Sequence, residues 1–295
     1  MAALLHPTYC ADGAVQQTVT VLENTRLARD TYRVRFGCPE LAERITPGQF
    51  VMLRLARGTD PLLGRPLALY DTVADAQGRP TAIDVVYLVK GRLTSRLVHF
   101  LPGQELEVWG PLGNGFPVQD TSHLIMVAGG IGQTPFLALA AEHLGRKQFG
   151  TPSRIIARQP RVTFCYGARQ AAYLAGVEDF ERLGVDVRLA TDDGSRGHHG
   201  LVTDLLRDLL AEAAASGPAN VPRIVCCGPE IMMARVAEMA AAANVPCQVS
   251  LETPMACGIG ICFTCVAKVR DTEGGWDYKR TCVEGPIFDA TRIEW

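Results

Sequence analysis

Four thiols near the C-terminus, Cys257, Cys262, Cys265 and Cys282, stand in the spacing C-x4-C-x2-C with a distant fourth cysteine. That is a ligand pattern of plant-type 2Fe-2S clusters. Such a centre passes one electron at a time, so the spacing points to electron transfer. The setting, Met255-Ala256-Cys257-Gly258-Ile259-Gly260-Ile261-Cys262-Phe263-Thr264-Cys265, supplies what a loop around an inorganic core needs. Gly258 and Gly260 can take positive φ. Backbone N–H groups turned toward the sulfurs would stabilise the added charge of the reduced state. Zinc also accepts four thiolates, but it usually draws on two close C-x2-4-C pairs, and only one close pair is present. Cys10, Cys38, Cys165, Cys226, Cys227 and Cys247 show no paired spacing, and nothing marks a secreted disulfide framework.

Two glycine turns carry a second kind of chemistry. Ala128-Gly129-Gly130-Ile131-Gly132-Gln133-Thr134-Pro135 follows a buried apolar run and opens a helix, where a pyrophosphate can approach backbone N–H groups. The strict G-x-G-x-x-G fingerprint is absent, so Gly129, Gly130 and Gly132 could equally form a plain tight turn. Cys226-Cys227-Gly228-Pro229-Glu230 also ends a strand and begins a helix, on the edge where open parallel sheets bind ligands. Cys226 reads as a small buried hydrophobe, while Cys227 beside Gly228 can line a pocket. Upstream, Gly64-Arg65-Pro66-Leu67-Ala68-Leu69 sets a fixed cation beside an extended dipeptide, a fit for a pyrophosphate. Lys90-Gly91-Arg92-Leu93-Thr94-Ser95 adds cations and hydroxyls at a strand end, and either segment could be an ordinary solvated loop.

The elements that must position these residues fall into three segments. Residues 13–118 show short strands (Gln17–Leu22, Tyr32–Phe36, Gln49–Leu55, Ile83–Val89 and Glu105–Val108) divided by turns at Pro47-Gly48, Gly78-Arg79-Pro80 and Pro102-Gly103. This predicts an antiparallel β domain, most simply a small barrel. Residues 119–246 alternate strands (Leu124–Ala128, Val162–Tyr166, Val185–Ala190, Ile224–Cys227) with helices (about Thr134–Leu144, Val177–Leu183, Thr203–Ala215, Glu230–Ala243), which predicts a parallel sheet covered on both faces. Gly145–Pro160 reads as a long surface loop, and Ala211–Pro222 as a helix running out into a linker. Residues 247–295 lose regular structure and are too few for an independent core, so a metal centre would supply the missing stability.

Composition bounds the function. The 295 residues carry a formal charge of −2, with no basic stripe for nucleic acid. The richest apolar stretch, His123 to Leu139, is broken by Gly129, Gly130, Gly132 and Pro135, so no membrane span is expected. Met1–Gly13 lacks the features of a signal peptide. A reduced, cytoplasmic setting is expected, and it suits thiolate ligands.

The order of segments resembles the ferredoxin–NADP reductase superfamily. Glu252-Thr253-Pro254-Met255-Ala256-Cys257-Gly258-Ile259-Gly260-Ile261-Cys262, Tyr278-Lys279-Arg280-Thr281-Cys282-Val283-Glu284-Gly285-Pro286-Ile287-Phe288 and Gly110-Pro111-Leu112-Gly113-Asn114-Gly115-Phe116 are similar to the electron-transfer subunits of NAD-dependent (B-type) dihydroorotate dehydrogenases. The resemblance covers about Val15 to Phe288. It implies a flavin barrel, a pyridine-nucleotide domain and a small C-terminal 2Fe-2S module. Arg65, Pro66, Leu67 and Ala68 would hold FAD, with Tyr87, Leu88, Val89, Gly91, Thr94 and Ser95 completing its site. Gly129, Gly130, Gly132, Cys227, Gly228 and Pro229 would receive NAD, with Cys227 as the candidate catalytic residue. The four spaced cysteines would bind the cluster.

The resemblance further implies electron flow from dihydroorotate through the FMN of a catalytic subunit, the cluster and FAD to NAD+, in a 2+2 heterotetramer. Small subunits of NADH-dependent ferredoxin:NADP+ oxidoreductases and of sulfide dehydrogenases share the layout, and a redox sensor is a reading of another class. Two positions depart from the pattern. Ala68 replaces a hydroxyl residue, and Leu88 replaces an arginine whose charge Lys90 could supply. Arg169 could meet a 2′-phosphate, so NAD over NADP rests on the resemblance.

Overall fold

The computed structural model describes residues 10–58, 60–156, 160–215, 217, 222–271 and 274–295. Its first part is a closed antiparallel barrel of β1 (Val15–Ala28), β2 (Thr31–Gly37), β3 (Phe50–Leu55), β4 (Arg65–Ala74), β5 (Pro80–Leu88) and β6 (Glu105–Leu112), in the order β1-β2-β5-β4-β3-β6. Alternation sends Val34 and Phe36 of β2, and Ile83, Val85 and Tyr87 of β5, into its core. Each such fully buried side chain is worth roughly 1.5–3 kcal/mol. The opposite face of β4 and β5 is buried too, because Tyr70 and Val86 pack into the core of the second part.

Two local differences from the sequence reading matter for the site. The Arg65 motif opens a ten-residue strand, β4, rather than a loop. Pro66 is tolerated because this end of β4 pairs with β3 alone, the pairing with β5 starting only at Leu69, so its other edge is open. The segment after Gly91 forms a short helix, α2 (Arg92–Leu97), while α1 (Pro39–Arg44) caps the barrel.

The second part is a parallel sheet of β7 (His123–Gly129), β8 (Arg161–Ala168), β9 (Asp186–Thr191), β10 (His198–His199), β11 (Arg223–Cys227) and β12 (Cys247–Ser250), in the order β10-β9-β8-β7-β11-β12. Leu124, Met126 and Ala128 face α3 (Phe136–His143) and α4 (Val177–Leu183), whereas Ile125 and Val127 face α5 (Val202–Ala215) and α6 (Glu230–Ala242). Both faces are buried, hence the continuous apolar strands. The order reverses between β7 and β11, so the two glycine turns meet at the crevice there.

The segment 145–154 ties the two parts together more than a surface loop would. Phe149 is buried, Lys147 Nζ donates to the Thr72 carbonyl at 2.8 Å, and Arg154 pairs with buried Glu142. Parts of the expected loop and of the expected linker, and residues 1–9, lie outside the described residues.

Regular structure does not fade after Cys247. β12 extends the parallel sheet beside β11, across the boundary expected between 246 and 247. A hairpin of β13 (Val266–Arg270) and β14 (Trp276–Arg280) follows, and β15 (Ile287–Asp289) returns antiparallel to β12. The barrel side is joined through an apolar cluster of Phe50, Met52, Leu112, Cys265, Cys282 and Val283. Sheet bonds and shared apolar contacts thus support a segment too short for a core of its own. Among the described residues, no helix is long and apolar enough to cross a membrane.

Candidate functional site

A cavity of about 760 Å³ opens where the three parts meet, a volume in the usual range for cofactor sites. The barrel contributes Arg65, Pro66, Leu67, Ala68, Tyr87, Leu88, Lys90, Gly91 and Thr94 to its wall. Arg65 Nη1 donates to the carbonyls of Leu63 and Gly64 at 3.1 and 2.9 Å, and its guanidinium is in no ion pair among the described residues. Its charge therefore remains for an anion. The Tyr87 hydroxyl donates to Asn24 Oδ1 at 3.0 Å, the ring stacks on Tyr32, and burial pushes the phenol well up. Tyr87 is a rigid neutral wall. The Thr94 hydroxyl accepts from the N–H groups of Lys90 and Gly91 and donates to the Gly91 carbonyl, so it shapes the loop. Val89 packs on the barrel core and Ser95 is exposed, and neither lines the cavity.

Sequence reasoning passed over the cavity's carboxylate. Glu252 stands in the irregular segment after β12. Solvent reaches it through the cavity mouth, yet it lies deep among protein atoms. That desolvation raises its pKa, with Lys90 opposing. An acid beside Thr253-Pro254, just before the first cluster thiol, was its only sequence signal.

The glycines of the two turns do different work. A Cβ on Gly132 would lie 2.3 Å from the Cys227 carbonyl oxygen, and one on Gly129 would lie 2.7 Å from Pro229 Cδ. These positions, with Gly228 against the backbone of Gly129, allow the two turns to pack together. Gly130, at φ +56°, faces open space and is the one glycine of its turn free to meet a ligand closely. Cys227 lines the cavity and is 3 % exposed. Burial, then the charge of Glu252, pushes its thiol up, with a hydrogen bond to Ser250 opposing. It is a neutral side chain there, with none of the thiolate character of a nucleophile. Cys226 is a fully buried hydrophobe, as expected.

The four spaced thiols come together two by two. Cys265 and Cys282 are buried with sulfurs 3.2 Å apart, and Cys262 hydrogen-bonds Cys257. Hydrogen bonds from Thr264 bring Cys262 down to about 6. The Cys282 thiol likewise lowers Cys265 to about 6 while its own pKa rises. Two close pairs of sulfurs, with Cys262 lowered in one and Cys265 in the other, suit a binuclear centre. Gly258 and Gly260 take φ of +74° and +84°, and the Ile259 N–H points to Cys257 Sγ at 3.4 Å. The donor set and its loop therefore fit a 2Fe-2S cluster.

Thiols, cavity and turns share walls. Ala256 and Thr264 line the cavity and are covalently next to Cys257 and Cys265, while Ile131 and Cys227 close it from the glycine turns.

The family model for the iron–sulfur cluster binding domain of dihydroorotate dehydrogenase B matches residues 252–294. The chain is 34 % identical over 273 residues to the dihydroorotate dehydrogenase B (NAD(+)) electron transfer subunit of Caldanaerobacter subterraneus, covering 92 % of this chain and 96 % of that one. The subunit of the same name from Clostridium acetobutylicum is 37 % identical over 250 residues, 84 % of this chain and 86 % of the other. Among solved structures, that of an NADH-dependent reduced ferredoxin–NADP oxidoreductase, described for flavin-based electron bifurcation, superposes with a TM-score of 0.76. It has 27 % identity and covers 94 % of this chain and 90 % of that one. The cytochrome b5 reductase domain of Ulva prolifera nitrate reductase shares the fold at a TM-score of 0.55 and 20 % identity, over 74 % of this chain and 89 % of its own.

Proposed function

This chain belongs to the family of dihydroorotate dehydrogenase B (NAD(+)) electron transfer subunits, and on that premise we propose how its own residues link a catalytic partner to NAD. It is an oxidoreductase subunit of pyrimidine biosynthesis that works with FAD, a 2Fe-2S cluster and NAD. When bound, the flavin supplies exchange between two-electron and one-electron chemistry, and the cluster supplies single electrons.

Arg65 holds the FAD phosphates through charge-assisted hydrogen bonds, and Pro66, Leu67, Ala68, Tyr87 and Leu88 wall the ring system. Gly130 and the Cys227-Gly228-Pro229 turn receive the nicotinamide nucleotide, with Gly129 and Gly132 keeping the turns in register. Cys227, a neutral thiol, orients by contact. Cys257, Cys262, Cys265 and Cys282 hold the cluster. The partner is an FMN-containing catalytic subunit, assembled as two copies of each chain in the cytoplasm. The face of this chain that docks the partner includes the thiol loop, where Ile261 and Phe263 are 73 % and 63 % exposed.

The observation that carries this reading is the shared wall, with Ala256 and Thr264 bonded to two thiol residues and lining the same cavity as Arg65 and Cys227. The test is co-purification with a dihydroorotate dehydrogenase catalytic chain and assay of dihydroorotate-dependent NAD+ reduction. Activity that needs both chains supports it. NADH-dependent dye reduction by this chain, without dihydroorotate-driven NAD+ reduction by the pair, would leave a reductase with a different partner.

A further inference from the structure

Arg280 holds the loop that carries three of the four thiols from the side of β14. Arg280 ends β14, two residues before Cys282. Its Nη1 donates to the Gly260 carbonyl at 3.0 Å, two residues before Cys262. Its guanidinium also lies 4.9 Å from the centre of the Phe263 ring, between Cys262 and Cys265. Its backbone N–H donates to Glu284 Oε2 at 2.8 Å, and its Nε is 3.5 Å from the same oxygen. Phe263 sits at φ +55°, a left-handed conformation that costs a non-glycine residue about 1–2 kcal/mol and persists only where surrounding contacts hold it. The Arg280 stack is such a contact.

We propose that Arg280 is a positioning residue of the electron-transfer centre: it fastens the Cys257–Cys265 loop to the strand leading into Cys282, and its fixed charge favours the reduced state. The proposal rests on the cluster reading given above. Reduction adds one negative charge to the bound centre. A guanidinium stays protonated at any working pH, and this one is only 17 % exposed, so water screens it less than a surface cation. Glu284 offsets part of that charge. Lysine can keep the charge but has neither the planar face for Phe263 nor the forked donors for Gly260.

The test uses the full chain with FAD and cluster loaded. Iron and labile sulfide in equal amounts in the unaltered chain establish the cluster independently of Arg280. FAD absorbance shows that each variant is folded. The readouts are iron per chain and a redox titration followed by the electron paramagnetic resonance signal of the reduced cluster. For Arg280→Gln, the reduced-to-oxidised ratio at the wild-type midpoint should fall at least about threefold, or about 28 mV at 59 mV per tenfold for one electron. Arg280→Lys should keep the ratio near wild type but broaden the signal or lower iron retention, because the latch is gone. An unchanged midpoint in Arg280→Gln overturns the charge role. Unchanged signal and iron retention in both variants overturn the latch role. Should Arg280→Gln keep FAD but lose iron, the latch is supported, and Glu284→Gln decides the charge role: the ratio must rise at least about threefold, and no rise overturns it.

Discussion

The indole Nε1 of Trp109, on β6, donates to the carbonyl of Cys257 at 2.9 Å. One barrel side chain thereby holds the first of the four spaced thiol residues by its backbone. On the adjoining strand β3, Met52 pairs with Trp109 and meets Gly258 so closely that a Cβ there would lie 2.5 Å from Met52 Cγ. The barrel therefore sets where the loop begins, and the wall shared by cavity and thiols depends on that anchor.

Trp109→Phe keeps most of the ring and removes the donor. A half-buried hydrogen bond of this kind contributes about 1 kcal/mol. The variant should melt a few degrees lower and release iron faster to a chelator, with FAD content unchanged. Iron release at the wild-type rate would show that the indole hydrogen bond does not restrain the loop.

Arg65→Ala should weaken FAD binding about 10- to 100-fold, the loss of one or two charge-assisted hydrogen bonds. Folding should be little affected, since Arg65 donates here only to backbone carbonyls. Flavin fluorescence titration of the apoprotein measures the affinity. An unchanged dissociation constant removes Arg65 from the phosphate site.

Gly132→Ala and Gly130→Ala should separate packing from ligand approach. At Gly132 the added methyl meets the Cys227 carbonyl at 2.3 Å, and the backbone shift should cost roughly 1–3 kcal/mol. At Gly130 the space is open and only the left-handed backbone is penalised, about 1–2 kcal/mol. Gly130→Ala should raise the KM for NADH more than it lowers stability, and Gly132→Ala the reverse. Denaturant titration and NADH-dependent dye reduction on both variants decide.

Stability should fall on mild acidification. His143 is buried on α3, where its ring bonds the Leu139 carbonyl through Nδ1, and burial lowers its pKa to about 4. The unfolded chain protonates near 6.5, so between about 6.5 and 4 the unfolded state binds the extra proton. The contribution is complete above about pH 6.5 and is lost as pH falls toward 4, by up to roughly 3 kcal/mol. Urea unfolding at pH 7.5 and 5 should show a smaller difference for His143→Gln than for the unaltered chain. Equal differences would place the acid sensitivity elsewhere.

Much of the site was legible in the sequence because it rests on local chemistry. Thiol spacing alone pointed to an iron–sulfur centre, and the match to an iron–sulfur binding domain over residues 252–294 agrees with that. Gly258 and Gly260 sit at positive φ, the local freedom that the sequence offered at both positions. The alternation of strands and helices from 119 to 246 was readable because both periods repeat along the chain. Tertiary structure decided what depends on distant partners. Trp109 and Cys257 are 148 residues apart, and no periodicity predicts their bond. Gly132 looked like part of a phosphate cradle, but the backbone of Cys227 fills its space, because two turns from different strands meet at the point where sheet order reverses. β4 was hidden because Pro66 signals a loop locally, while pairing with β3 makes it a strand. Glu252 became a cavity residue only when the segment after β12 folded against the barrel wall that carries Lys90. Ligand identity is written in short spacings, whereas the position of one centre relative to another follows from long-range packing.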